Sequence, residues 1–307
     1  MATVLRENKK RWSWGIAKQF IKDYGWCYIF IALPVLLFLV FTVYPLISAF
    51  IMSFQEYGIL ESRYIGLENY KKLLGSEIFW KSIKNTVIYT VGTVPVSIII
   101  SFLLSLLIFP LNKRSQTFFK ASFYLPAVTS GVTMSLIWLW MFDPTKSGLI
   151  NLFLSWFGID QHMWLASSDT ALFSLMLMTY IGGHGSGIIL YMAAMGGIPK
   201  SLYEAADIDA ASWWSKIKNI TWPLLKPTTL YMLITGIIGS FQVFEATYVM
   251  TQGGPNFATT TIAYLIYKHA FEYYQFGLAS AEAFVLGVII IIVSVLQFKY
   301  MSSDVEY

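Results

Sequence analysis

Glu245, His184 and Gln242 are polar side chains set within long apolar stretches, and they are the first places to look for chemistry. Phe241, Glu245 and Tyr248 recur at i, i+4 and i+7, which on a continuous helix puts them on one face with Gln242 beside them. An aromatic plane next to hydrogen-bonding groups suits a sugar, whose ring has apolar faces and a hydroxyl rim. Pairing of Glu245 with a neighbouring helix suits the same position. His184, with Tyr180 one turn before it, admits the same two readings: a group lining a path, or a hydrogen bond between packed helices. Bond-breaking chemistry has little support. The run Gly182-Gly183-His184-Gly185-Ser186-Gly187 lacks the lysine that reaches a bound phosphate, no His-Glu-x-x-His pair occurs, and no nucleophile stands with a base and an orienting group. Cys27 is the only cysteine, so an intrachain disulfide and a thiolate metal cluster are excluded, and it reads as apolar filler. His162 and His269 read as exposed loop residues. The expectation is a protein that is not an enzyme and holds neither metal nor cofactor itself.

Those residues call for elements of a particular kind. Of the 307 residues 56% are hydrophobic and only 12% charged, with a mean hydropathy of +0.60, which is membrane-protein composition. The net charge of +4 is scattered among apolar segments without a basic stripe, which argues against nucleic acid. Crossing a hydrocarbon layer of about 30 Å takes about 20 apolar residues. Six segments approach that length: 27–54, 86–109, 122–141, 171–195, 228–250 and 283–300. The fold class expected is therefore all-α, with six transmembrane helices. Pro34 and Pro45 predict a tilt or kink in the first. Before it, Trp12, Ile16 and Phe20 fall one turn apart with Arg11, Lys18 and Lys22 on other faces, the pattern of a short interfacial helix. A signal peptide is the competing reading, but the apolar run is long and no small-x-small cleavage pattern follows. Arg6, Lys9 and Lys10 at the N-terminus, Lys113, Arg114 and Lys120 in the second loop, Lys200, Lys216, Lys218 and Lys226 in the fourth, and Lys299 share one side. Positive charge is retained on the cytoplasmic side, so both termini are expected inside. The division expected is an interfacial segment 1–26, a membrane domain 27–300 and a tail 301–307. Ser97, Ser101 and Ser105, and Gly183 with Gly187, form small-residue stripes that close helix packing explains.

The segment 196–227, GGIPKSLYEAADIDAASWWSKIKNITWPLLKP, is far longer than a turn between helices needs. Pro199 can begin a helix, and Ser201 with Glu204 has capping-box spacing. Ala205, Ala206, Ala210 and Ala211 then give a narrow surface, with Tyr203, Trp213 and Trp214 as large anchors, a helix shaped to enter a groove on another protein. Pro223 and Pro227 are expected to end the segment. At this point the chain resembles the permeases of ATP-binding-cassette importers. Glu204-Ala205-Ala206, then Asp207 and Ala210, and after nine residues Ile220-Thr221-Trp222-Pro223, is similar to their EAA loop, with Ala210 in place of the usual Gly and Trp222 in place of the usual Leu. Ser240-Phe241-Gln242-Val243-Phe244, Thr251-Gln252-Gly253-Gly254-Pro255 and Thr259-Thr260-Thr261 resemble the maltose-type carbohydrate permeases. Tyr44-Pro45 and Gly66-Leu67-Glu68-Asn69-Tyr70 extend that likeness towards the N-terminus. The resemblance implies a cytoplasmic-membrane permease that moves a sugar or oligosaccharide by alternating access. It also implies docking of the EAA helix on two copies of a separate ATPase that uses ATP and Mg, a second related permease subunit, and an extracytoplasmic solute-binding protein. The alternative is an ion-coupled secondary transporter or channel, with Glu245 or His184 as the coupling group.

Overall fold

A computed structural model describes residues 14–58 and 62–301, with the side chains of 14–22 and 301 left aside. Arg6, Lys9, Lys10, Arg11 and Trp12, and the tail beyond Met301, lie outside the described residues. The chain divides into two units, Met1–Met52 and Ser53–Tyr307. In the first, α1 (Trp14–Phe38) passes through a π-turn at Leu39–Val43 into α2 (Tyr44–Met52). The helix is unbroken across residues 26 and 27, where an interfacial segment was expected to meet the first span. Pro34 lies within α1, and the wide turn falls just before Pro45, whose ring has no N–H to give and crowds the carbonyl four residues earlier.

The second unit opens with an antiparallel hairpin that the all-α expectation did not contain. β1 (Gln55–Tyr57) pairs with β2 (Ser62–Tyr64), setting Glu56 opposite Arg63. α3 (Glu68–Leu74) supports it, because the buried Asn69 amide donates to the Ser53 and Gln55 carbonyls at 3.0 and 2.8 Å. α4 (Glu77–Ile108) is capped by Ser76, whose hydroxyl accepts from Phe79 N–H, and carries Pro95. α5 (Lys113–Val128) and α6 (Gly131–Met141) meet at 97°, so segment 122–141 is two helices, not one. Thr129 is extended, and Ser130 restarts the helix by accepting from Thr133 N–H. α7 (Leu149–Ser155) is held by Asn151, which donates to the Asp143 and His162 carbonyls and accepts from Trp164 Nε1–H. The Thr145 hydroxyl and N–H both donate to Asp143 and hold its carboxyl below the usual range.

α8 (Ala171–Ile181) and α9 (Gly185–Gly196) bend by 43° where Gly183 takes a φ of +86°. α10 (Lys200–Ile208), α11 (Trp213–Lys216), a π-turn at Ile217–Thr221 and α12 (Trp222–Leu224) follow. α13 (Lys226–Phe241) lies at 62° to the segment before it. α14 (Ile262–Tyr267) and a π-turn at Lys268–Glu272 lead to α15 (Phe276–Met301). α4 is the centre of the unit, with α8, α9 and α13 packed along it; Val94, Ile98, Tyr191, Met195 and Leu225 form one of its cores. Among the described residues three helices are long and apolar enough to cross a membrane, and up to six crossings result if each bent pair is one span.

Candidate functional site

The loop expected to engage a partner is helical from Lys200 to Ile208, but the capping box does not form. Pro199 is the N-cap, so Ser201 already has helical neighbours on both sides and cannot aim its hydroxyl at the free N–H groups of the first turn. The C-terminus is more revealing. Ala210 has a φ of +53°, its N–H donates to Asp207 O, and Ala211 N–H donates to Ala206 O, the two bonds of a Schellman motif. That is a conformation that glycine adopts without penalty.

Tyr203 and Asp207, two of the residues expected to couple to the ATPase, also bond within the chain. Tyr203 bonds through its hydroxyl to Thr221 Oγ1 at 2.9 Å, and Asp207 forms an ion pair with Lys216. Both ties fasten α10 to the returning chain. Glu204, Ala205 and Ala210 remain exposed on the outside and Ala206 is half-buried. Beside them lie apolar groups that helical spacing alone did not single out: Ile208 is 87% exposed and Leu202 42%. Trp213 and Trp214 are exposed, with ring centroids 5.9 Å apart. Of the two prolines expected to end the segment, Pro223 sits where the continuous helical run from Trp213 to Leu224 stops, just before the 62° bend. Pro227 opens the next helix, standing in the first turn of α13, where its missing N–H costs nothing.

Within the helices, the proposed common face of Phe241, Glu245 and Tyr248 is broken. α13 ends at Phe241, and Gln242 and Val243 form a turn, so the 3.6-residue period does not carry through. Phe241 enters the core with Leu73, Phe79 and Ile262, whereas Glu245 and Tyr248 stay exposed. The Glu245 carboxylate lies against Gly131 at the first turn of α6, where a Cβ would come within 1.6 Å of its oxygen. A helix N-terminus favours negative charge there. Gln242, Glu245 and Ser135 wall a recess of about 450 Å³. His184 is buried between α4 and α8, with Nδ1 3.4 Å from Ser101 Oγ and Nε2 2.9 Å from Tyr180 O. Tyr180 donates to Gly92 O at 3.0 Å. These two tie helices together.

A second cavity, about 430 Å³, opens between α4, α9 and α13. Thr93, Ser97, Ser101, Gly183, Ser186, Gly187, Thr235 and Ser240 contribute to its wall, and none of its lining side chains is charged. The serine and glycine stripes therefore do more than let helices approach, since they also line this space. The Ser97 hydroxyl is buried without a hydrogen-bond partner.

Helical periodicity missed two features. His269 is not an exposed loop residue: its Nδ1 lies 2.9 Å from both oxygens of Glu282, which is 2% exposed within α15. Phe244, Tyr248, Tyr264, Tyr267 and Phe271 form an aromatic cluster, with Phe244 stacked on Tyr248 at 5.3 Å. Among the described residues no group of three His, Cys, Asp or Glu side chains is placed to hold a metal ion.

Comparison with known proteins bears on this geometry. The family model described as "Binding-protein-dependent transport system inner membrane component" matches residues 97–299. The arabinooligosaccharides transport system permease protein AraP of Bacillus subtilis (strain 168) is 36% identical over 278 residues, covering 90% of this chain and 88% of the relative. The lactose transport system permease protein LacF of Rhizobium radiobacter is 30% identical over 303 residues, 97% of this chain and 98% of the relative. The fold is shared, at a TM-score of 0.82 and 24% identity, with a chain of a crystal structure described as a bacterial ABC transporter involved in import of the acidic polysaccharide alginate. That match covers 93% of this chain and 99% of the other.

Proposed function

The chain belongs to the family of inner-membrane components of binding-protein-dependent transport systems, and we propose that it serves there as a permease subunit of an ATP-driven importer for a sugar or oligosaccharide. The observation that carries this reading is α10: a short helix pinned from behind by Tyr203–Thr221 and Asp207–Lys216 while it presents Leu202, Glu204, Ala205 and Ile208 outward beside Trp213 and Trp214. Large apolar side chains held rigidly at a surface are what a protein groove accepts, and the backing ties let a push on the helix reach the spans instead of bending the loop.

In this reading a separate ATPase, present in two copies, binds ATP and Mg, and its closure moves α10. A second, related permease subunit completes the path, and an extracytoplasmic binding protein delivers the solute. Alternating access then exposes the path to each side in turn. Each bent pair counts as one crossing, giving six, and the Lys and Arg distribution keeps α10 and both termini on the cytoplasmic side. The uncharged, hydroxyl-rich cavity between α4, α9 and α13 is the intramembrane station for the solute. Gln242 and Glu245 line the recess next to it.

The test is Ile208→Asp with Glu204→Lys as a second variant. Loss of ATPase co-purification and uptake, at unchanged membrane abundance of the permease, is expected. Uptake that survives both, and that collapses on addition of an uncoupler at maintained ATP, would replace this reading with an ion-coupled transporter.

A further inference from the structure

The aromatic cluster and the two cavities adjoin one another. Val243 walls both the central cavity and the recess, and Phe244 walls the recess while stacking on Tyr248. Tyr267 lies 4.9 Å from Phe244 and 5.1 Å from Tyr248, and Phe271 extends the surface 5.3 Å further. Tyr248 is 40% and Phe271 62% exposed, while Tyr264 is buried behind them. Gly253 makes that backing possible: with a φ of +79° it has no Cβ, and one would come within 2.7 Å of the Tyr264 ring.

The charges along this route are uneven. The central cavity has no charged lining, the recess has only Glu245, and Glu272 stands directly after Phe271. Lys268, next to Tyr267 in sequence, lies over the Tyr273 ring at 5.7 Å.

We propose that Tyr248, Tyr267 and Phe271, with Phe244, form a stacking platform that takes an uncharged sugar ring on its way to the recess, and that the Glu245 and Glu272 carboxylates turn away uronates. Ring C–H groups pack on aromatic faces whatever the order of the hydroxyls, so the platform accepts neutral saccharides as a class, while an anion entering between the Glu245 and Glu272 carboxylates is repelled. This rests on the sugar-permease reading above.

The experiment is saturation-transfer NMR on the purified permease–ATPase complex without its binding protein, so that the binding protein's own selectivity plays no part. The probes are α-1,5-arabinotriose, maltotriose and α-1,4-trigalacturonate. The expected result is transfer to the ring protons of a neutral trisaccharide and none to the uronate. Tyr248→Leu and Tyr267→Leu should each weaken the signal about fivefold, the order expected for one lost ring stack, with Tyr248→Trp retaining it. Equal transfer to the uronate overturns the charge selection, and an undiminished signal in both leucine variants overturns the platform while leaving the permease reading intact. If either leucine variant loses its second permease subunit on size exclusion, the cluster is a subunit contact and the proposal falls. Transfer to none of the probes, in a complex that hydrolyses ATP, overturns the sugar reading itself.

Discussion

At the scale of single residues, Ala210 shows how a sequence departure acquires meaning. The resemblance flagged it as standing where glycine is usual, and its φ of +53° gives the reason: a Cβ in the left-handed region strains against the neighbouring carbonyl by about 1 kcal/mol. Ala210→Gly is therefore expected to raise the thermal midpoint of the purified complex by the equivalent of about 1 kcal/mol without loss of coupled ATPase activity, read by differential scanning fluorimetry. Gly277 makes the opposite case. A Cβ there would fall 1.9 Å from the Gln55 carbonyl oxygen, so Gly277→Ala must push α15 off the β1 backbone. A drop in folded yield is expected on fluorescence size exclusion. The importance of Gly277 was not legible, because the partner atom lies more than two hundred positions away in sequence.

At the scale of elements, the existence of helices was legible and their interruptions were not. Between Ser122 and Met141 the sequence offers Pro126 and Thr129-Ser130-Gly131 as break signals, but the apolar run reads as one span, and the switch of Thr129 to extended backbone with a 97° bend appears only in the packed chain. The Gly182-Gly183 break could have been read from glycine alone. His269 and Glu282 are joined across the turn that separates two helices, a contact no periodicity reports. A buried carboxylate deprived of its partner costs far more than an apolar pair put in its place. His269→Leu should therefore destabilise the protein by about 3 kcal/mol, and the double variant His269→Leu/Glu282→Leu by much less, as a double-mutant cycle in thermal stability would report. The ties behind α10 make a separate prediction. Tyr203→Phe removes one hydrogen bond, worth about 1 kcal/mol, and is expected to leave ATPase binding intact while lowering transport per ATP hydrolysed, measured in proteoliposomes.

At the scale of the whole molecule, the prediction concerns assembly: purification of the tagged chain from its native membrane should bring down an ATPase and a second permease in fixed ratio, identified by mass spectrometry. What the sequence determined by itself was the membrane class, the apolar segments, the sidedness expected from Lys and Arg, and the EAA loop with its family, because these depend on composition and on residues close along the chain. The tertiary structure alone decided that Phe241 is core and not path, that Tyr203 and Asp207 brace the loop from behind, and that Ser97, Ser101 and Gly187 open a cavity between α4, α9 and α13. Each of those outcomes depends on where a helix ends or on which distant helix it meets. Side chains a full helix apart compete for the same space, and only the packed chain settles which of them is turned inward.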